Sequence, residues 1–305
     1  MDNLHDRYPI PNRLNITLFL VCAIAHVFLL WAGSQTTTWY GLLLCCFLFA
    51  ITLIPVYSLL HEAEHGVLHS NAKWNYALGF YLSLLFLVPF SFFRKCHLNH
   101  HKHNRTDYEM WDLYYEHQRK WLKHGYLYLV MVGMEWVIMV VGTLLFCIQP
   151  SVVFSRVFSW NKEIRGLIMG SDADRVLRNI RLESYVVIIS QVILFFVLDL
   201  HLKQYSLMYL THAFVWSSQN YVNHAFSPRD IINGAHNHKL SPLLKYVYLN
   251  FNLHLAHHQN PRIPWIHLGN FVKEDQKRIS FLKNYIRLWK GPVLTRESSP
   301  VPTNE

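Results

Sequence analysis

Read for apolar and polar positions, the chain falls into six apolar runs, at about 15–32, 40–60, 76–93, 126–148, 184–200 and 205–221. Polar stretches rich in His, Lys and Arg separate them. A helix needs roughly 20 mainly apolar residues to cross the hydrocarbon core of a bilayer, so each run is a candidate span. There is no internal repeat and no low-complexity segment. The first run contains Ala23-Ile24-Ala25, which looks like a signal cleavage site. Cleavage there would cut a continuous apolar run in half, so this span is expected to be retained. The tail from Gly291 is rich in Pro, Ser and Thr and is expected to be frayed and disordered over 291–305.

The histidines reduce six candidates to four crossings. They cluster at 60–65, 96–101 and 254–258. Clusters that share one site must lie on one side of the membrane, and a single crossing would hold a pair of them about 30 Å apart. The run 76–93, between the first two clusters, therefore does not cross alone, and Pro89 gives it a place to break. The same parity requires an even number of crossings between the second and third clusters. The stretch 151–182 carries Arg156, Lys162, Arg165, Arg175, Arg178 and Arg181, which makes it cytoplasmic by the positive-inside rule. The run 126–148, with Glu135 near its middle, then becomes the second non-crossing segment. The hairpin of 184–200 and 205–221 supplies the pair.

The expected fold is an all-α integral membrane protein with one domain over 1–290. Four transmembrane helices and two embedded, non-crossing segments carry a cytoplasmic helical cap, built from portions of 61–183 and from 222–290. The distribution of charge agrees: the proposed outer loops, 33–39 and 200–204, hold only Lys203 among the basic residues.

Composition sharpens this picture. Of 305 residues, 52% are apolar and 15% charged, well under the quarter usual in soluble domains. The net charge of +9 comes from residues that flank the apolar runs, where anionic headgroups sit, and not from a stripe suited to nucleic acid. The five cysteines, Cys22, Cys45, Cys46, Cys96 and Cys147, are odd in number and mostly inside apolar runs, which argues against a disulfide framework.

The twenty histidines carry the chemistry. The first box is His61-Glu62-Ala63-Glu64-His65. Residues four apart stand on one helix face, so both imidazoles reach one metal region. The second box, His97-Leu98-Asn99-His100-His101, and the third, His254-Leu255-Ala256-His257-His258, repeat a His-x-x-His-His pattern whose three histidines share a helix face. Asn220 and His224, four apart at the end of the last run, form a further candidate pair. Asn offers a weak oxygen ligand or holds a water on a metal. One ion cannot use nine imidazoles, because coordination numbers run from four to six, and two ions fit the count. Imidazole suits iron, zinc and copper alike, so ligand type leaves the metal open. Glu62, Glu64 and Asp107 are candidates to orient ligand imidazoles. His69 and His103 are expected outside the ligand set, and His26 and His212, inside spans, are expected to face the bundle.

These boxes resemble those of the membrane fatty acid desaturase superfamily, which also contains lipid hydroxylases and carotenoid ketolases. The matching residues are His61 and His65, then His97, His100 and His101, then His254, His257 and His258, with Asn220 and His224 similar to a metal-site pair of acyl desaturases. Pro261-Arg262-Ile263-Pro264-Trp265 also resembles the family, and the likeness runs from about residue 40 to 267. The resemblance implies a mushroom-like fold with a centre of two non-haem iron ions, held by these ten residues, where span and cap meet. It implies an O2-dependent oxidoreductase that introduces a double bond into the acyl chain of a lipid or thioester, with a hydroxylase or carotenoid ketolase as the alternative. Oxygen takes four electrons and the substrate gives two, so a donor protein supplies the rest. No His-Pro-Gly-Gly haem motif is present, which implies a separate ferredoxin or small cytochrome. The expected location is a bacterial inner membrane or the endoplasmic reticulum, with the site facing the cytoplasm.

Two other classes fit less well. A bis-histidine haem cytochrome needs histidine pairs facing each other within spans. A metal transporter needs ligands along a path near the bilayer midplane.

Overall fold

A computed structural model of the protein describes residues 4–151, 174–274, 276 and 278–302. Arg156, Lys162 and Arg165 of the basic stretch lie outside these residues. The described chain is mostly helical: α1 (Leu4–Arg7), α2 (Asn12–Gln35), α3 (Trp39–Glu64), α4 (Ala72–Phe86), α5 (Phe90–His103), α6 (Lys120–Leu129), α7 (Glu135–Ile148), α8 (Asp174–Val197), α9 (Leu202–Asn220), α10 (Pro242–Val247), α11 (His254–Gln259) and α12 (Phe281–Leu288).

Four helical stretches are long and apolar enough to cross a membrane: Asn12–Gln35, Trp39–Glu64, Lys120–Ile148 and Arg175–Val197. Three match expected crossings. The other expected crossing, 205–221, forms α9 but is not among them, because its 19 residues include Lys203, Gln204, Thr211, His212 and Gln219. Polar side chains are tolerated there because α9 is packed against α2 and α3: rings of His26, Phe49 and Tyr209 meet at centroid distances of 4.8 and 5.1 Å. Lys120–Ile148, expected not to cross, has the length and composition of a span instead.

That stretch is broken. A π-helical turn at Val130–Met134 separates α6 from α7, with Gly133 at φ 113°. A side chain at Gly133 would be strained at this φ and would press on the Ala213–Phe214 backbone at 3.2 Å, so glycine lets the break lie against α9. Before the break, Lys123 donates to Met110 O. After it, Arg181 donates to Ile148 O and Gln149. Arg181 lies near the start of α8; the other end of α8 meets the α2–α3 turn, through Gln35 to Asp199 O and His201 to Ser34. The far end of α7 thus lies at the opposite end of α8 from that turn.

The run 76–93 breaks at Pro89, as the sequence predicts. Asn71 caps α4, accepting from Lys73 N and Trp74 N. Leu87 ends it at φ 64°, and α5 leaves at 96°. A helix end buried in apolar surroundings leaves carbonyls that need donors. Here four consecutive ones find them: Leu84 O takes Gln191, Leu85 O Tyr209, Phe86 O Trp136 and Leu87 O Thr143, at 3.0–3.4 Å. The two breaks therefore lock together in the middle of the bundle.

Beyond the bundle, short helices and a two-stranded parallel sheet form a cap. Leu113 pairs with Val293 and Tyr114 with Leu294. The tail from Gly291 is thus not frayed over its described residues. The strand Val293–Leu294, Arg229 bonded to Glu297 O, and Ser299 bonded to Asp107 N hold it down. Its Pro and Ser content left no apolar period to read, and long-range hydrogen bonds decide the outcome.

Candidate metal centre

Each element delivers its histidines to one place. His61 sits in the last turn of α3 and His65 caps that helix; α5 carries the second box, α11 the third, and His224 follows a 3₁₀ turn after α9. Two groups result. His61, His65, His97, His101 and His257 form one; His100, His224, His254 and His258 form the other, with ligand atoms in each group within 4.8 Å of one another.

The His-x-x-His-His boxes interdigitate. In the second, positions i and i+4 (His97, His101) join the first group and i+3 (His100) the second. In the third, i and i+4 (His254, His258) join the second group and i+3 (His257) the first. At 100° per residue, i and i+4 diverge by 40°, while the adjacent i+3 and i+4 diverge by 100°. Each box therefore straddles both groups, which a single shared helix face does not predict.

The spacing fits metal ligation. Ligand nitrogens about 2.1 Å from one ion and at right angles lie about 3 Å apart. The Nε2 atoms of His65 and His97 are 2.6 Å apart, and those of His97–His101, His101–His257 and His100–His224 are each 3.1 Å apart. The last pair is the most telling. Nδ1 of His224 is 2.8 Å from Gly234 O, and Nδ1 of His100 contacts the Glu109 carboxylate. With Nδ1–H donated to both acceptors, the two Nε2 lone pairs face each other, and a cation between them removes the repulsion. The Nε2 atoms of His61 and His258 are buried without a hydrogen-bond partner, as ligand nitrogens would be. Burial, and then the neighbouring imidazoles, push His254, His257 and His258 well below the ordinary histidine range. They stay neutral, the form that binds metal.

Carboxylates back the imidazoles, though not all of those expected. Glu64 lies 3.7 Å from His97 Nδ1, and Glu62 3.9 Å from His61 Nδ1 while accepting from Trp265 N. Asp107 does not reach a box: it binds Arg229 and the Tyr115 hydroxyl, both at 2.8 Å. Glu109 takes the role instead, and only its position two turns beyond the second box hinted at it. Buried Arg105 was also missed. It donates to Asp112 and Tyr221 at 2.6 Å and to Ser227 O, tying the end of α5 to the His224 turn.

His69 and His103 stay outside both groups, the first engaged with Asn71 N and the second with Asn99 O. His26 and His212 are buried in the bundle. Asn220 opens on the cavity beside the groups, its oxygen accepting from Tyr57 at 3.4 Å and its nitrogen donating to Glu135 at 3.2 Å.

That cavity, of about 190 Å³, has walls of Phe92, Phe93, Ile138, Met139, Phe146 and Trp216 and reaches His97, His100, His224 and His254. An apolar chamber ending on imidazoles from both groups suits a long apolar substrate. Comparison with known families agrees: the model of the fatty acid desaturase family matches residues 37–289. The chain belongs to this family. Among curated proteins none matches it. Family membership makes the desaturase-like chain an oxidoreductase of lipids, and its apolar helices make it a membrane protein.

Proposed function

We propose that the protein is an O2-dependent acyl desaturase that removes two hydrogens from neighbouring methylenes of a lipid-borne or thioester-borne acyl chain. The observation that carries this reading is the apolar cavity lined in part by histidines of both groups. Two iron ions, one per group, would supply reductive activation of oxygen and abstraction of hydrogen from an unactivated methylene. His61, His65, His97, His101 and His257 would hold one; His100, His224, His254 and His258, with Asn220 as a weak oxygen ligand or water holder, the other.

The remaining residues position and exclude. Phe92, Phe93, Phe146 and Trp216 exclude water from the chain and fix its path past the imidazoles. Glu109 and Gly234 O keep the Nδ1 protons of His100 and His224, so that Nε2 stays a ligand, while Glu64 stands beside His97. Oxygen needs four electrons to become two waters. The acyl chain gives two, and a separate ferredoxin or small cytochrome gives two more, with two protons.

For topology we infer four crossings, α2, α3, α8 and α9, with α4–α5 and α6–α7 as embedded hairpins. The support is that α4 and α5 bend by 96°, that α6–α7 is broken at Gly133, and that Ile148 meets the start of α8. The Lys and Arg distribution favours that end as cytoplasmic, in a bacterial inner membrane or the endoplasmic reticulum.

The test is a mass-spectrometric profile of host membrane fatty acids with the chain and a ferredoxin system, against His257→Ala. A new double bond in the wild type alone supports the proposal. A new hydroxyl would make the protein a hydroxylase. An unchanged profile, with about two irons bound per chain, would point to a carotenoid substrate.

A further inference from the structure

Two short cap helices expose apolar side chains that no crossing accounts for. On α10, Leu243 and Tyr246 are each 75% exposed; on α12, Leu282 is 62% and Ile286 52% exposed. The pattern on α12 is ordered. Asn284 and Leu288 are buried against the protein, Leu282 and Ile286 form one exposed stripe, and Lys283 and Arg287 form a second about 100° further round. A buried face, an apolar flank and a cationic flank describe a helix lying in the plane of a membrane interface.

The surroundings place this face at the level where the bundle ends. Tyr248, which follows α10, accepts from Ser58 of α3 through its carbonyl and bonds Gln219 of α9 through its hydroxyl. Trp289, which follows α12, lies 6.3 Å from the ring of Phe214. Phe214 and Leu210 are exposed on α9, so the apolar stripe of α12 continues the apolar outer surface of the bundle. Lys239, Lys245, Lys283 and Lys290 are exposed around it, while Arg287 covers the ring of Phe226 at 3.9 Å. An acidic protein would match the cations but would leave the stripe continuous with the lipid-facing surface uncovered.

We propose that the face formed by α10 and α12 seats in the bilayer interface and binds anionic phospholipid headgroups through its lysines. This goes beyond the reaction and rests only on the protein being a membrane protein. The seat lies one layer from the histidines. Asn284 donates to Val222 O at 2.8 Å and Ala225 O at 3.1 Å, bracketing the turn that carries His224. The chain leaving α10 runs directly into the third box. Lipid seating thus holds two of the strands of chain that present the second histidine group.

The experiment uses the full chain, one copy per nanodisc, in neutral phosphatidylcholine or with added phosphatidylglycerol bearing a diazirine near its glycerol end. After photolysis, adducts are mapped by mass spectrometry. Adducts within 242–247 and 281–289 support the proposal; adducts confined to α2, α3, α8 and α9 overturn it. A second measurement compares melting temperatures. The wild type should melt higher in anionic than in neutral discs, and Leu243→Glu with Leu282→Glu should lose that gain while melting like wild type in neutral discs. Equal melting of the wild type in both discs, or chain-to-chain cross-links through this face in larger discs in place of lipid adducts, would refute it.

Discussion

The two histidine groups use one kind of ligand but differ in number, backing and outlook. The first has five imidazoles, from α3, α5 and α11, and meets the cavity only through His97. The second has four and turns three of them, His100, His224 and His254, toward the cavity. Its outer contacts are also closer: Glu109 touches His100, whereas Glu64 stands 3.7 Å from His97. On the proposed reading, the first group is saturated and holds its ion, while the second keeps positions for oxygen and substrate. On that reading, redundancy at one site and economy at the other would give the protein a fixed anchor beside a responsive partner.

The largest expected effect breaks the comparison directly. His258→Ala leaves three imidazoles in the second group and should reduce bound iron from about two per chain to about one, with turnover down at least about 1000-fold. His65→Ala leaves four in the first group and should keep both ions, with turnover down about 10- to 100-fold. Metal analysis of the purified variants decides, and equal losses would mean that the groups are equivalent.

Next comes the backing. Glu109→Gln should weaken metal retention against a chelator by about 10- to 100-fold, and Glu64→Gln by less, because its contact is longer. The reverse order would show that distance to the imidazole does not set its basicity.

A third effect concerns pH. His224, His254 and His258 of the second group are depressed chiefly by burial, as is His257 of the first. Unfolded imidazoles take protons near pH 6.5, and the folded ones resist. The unfolded state thus binds more protons as pH falls below that value, and stability falls with it. Metal-free protein should lose about 1.4 kcal/mol per pH unit for each such group below about pH 6.5, and hold steady above it. Denaturant unfolding at pH 7.5 and 5.5 measures this; an unchanged midpoint would mean that water reaches these rings.

The smallest effect tests the scaffold both groups share. Trp136→Phe leaves Phe86 O without its donor and should cost about 1–3 kcal/mol of stability, read from denaturant unfolding. Both groups should keep their metal, since the lost bond is between the two breaks and not at a ligand.

The gathering of the box histidines and the helices that carry them were legible from the sequence because they rest on local periodicity. Four-residue spacing puts His61 with His65, and Pro89 marks the break between α4 and α5, although Pro55 lies inside α3. The partition of each box was not legible, because it depends on how α5 and α11 face each other across the centre. Polar α9 and apolar α6–α7 show the limit of composition: packing around His26 and Tyr209 accommodates the first, and the second is broken at Gly133. Glu109 replaced Asp107 because Arg229, more than a hundred residues later, claims Asp107.

The carbonyls at the end of α4 have a consequence in time. Their donors, Trp136, Thr143, Gln191 and Tyr209, lie 50 to 124 residues further along the chain. When α4 leaves the ribosome, Leu84 O has a local partner in Leu87 N, but the donors of Leu85 O, Phe86 O and Leu87 O are still to be made. On the proposed topology these carbonyls are expensive to leave unpaired in hydrocarbon, so this segment is expected to settle only after α9 has been made. The second histidine box, carried on the arm that follows, would then take its final place late, and the two groups would be completed last.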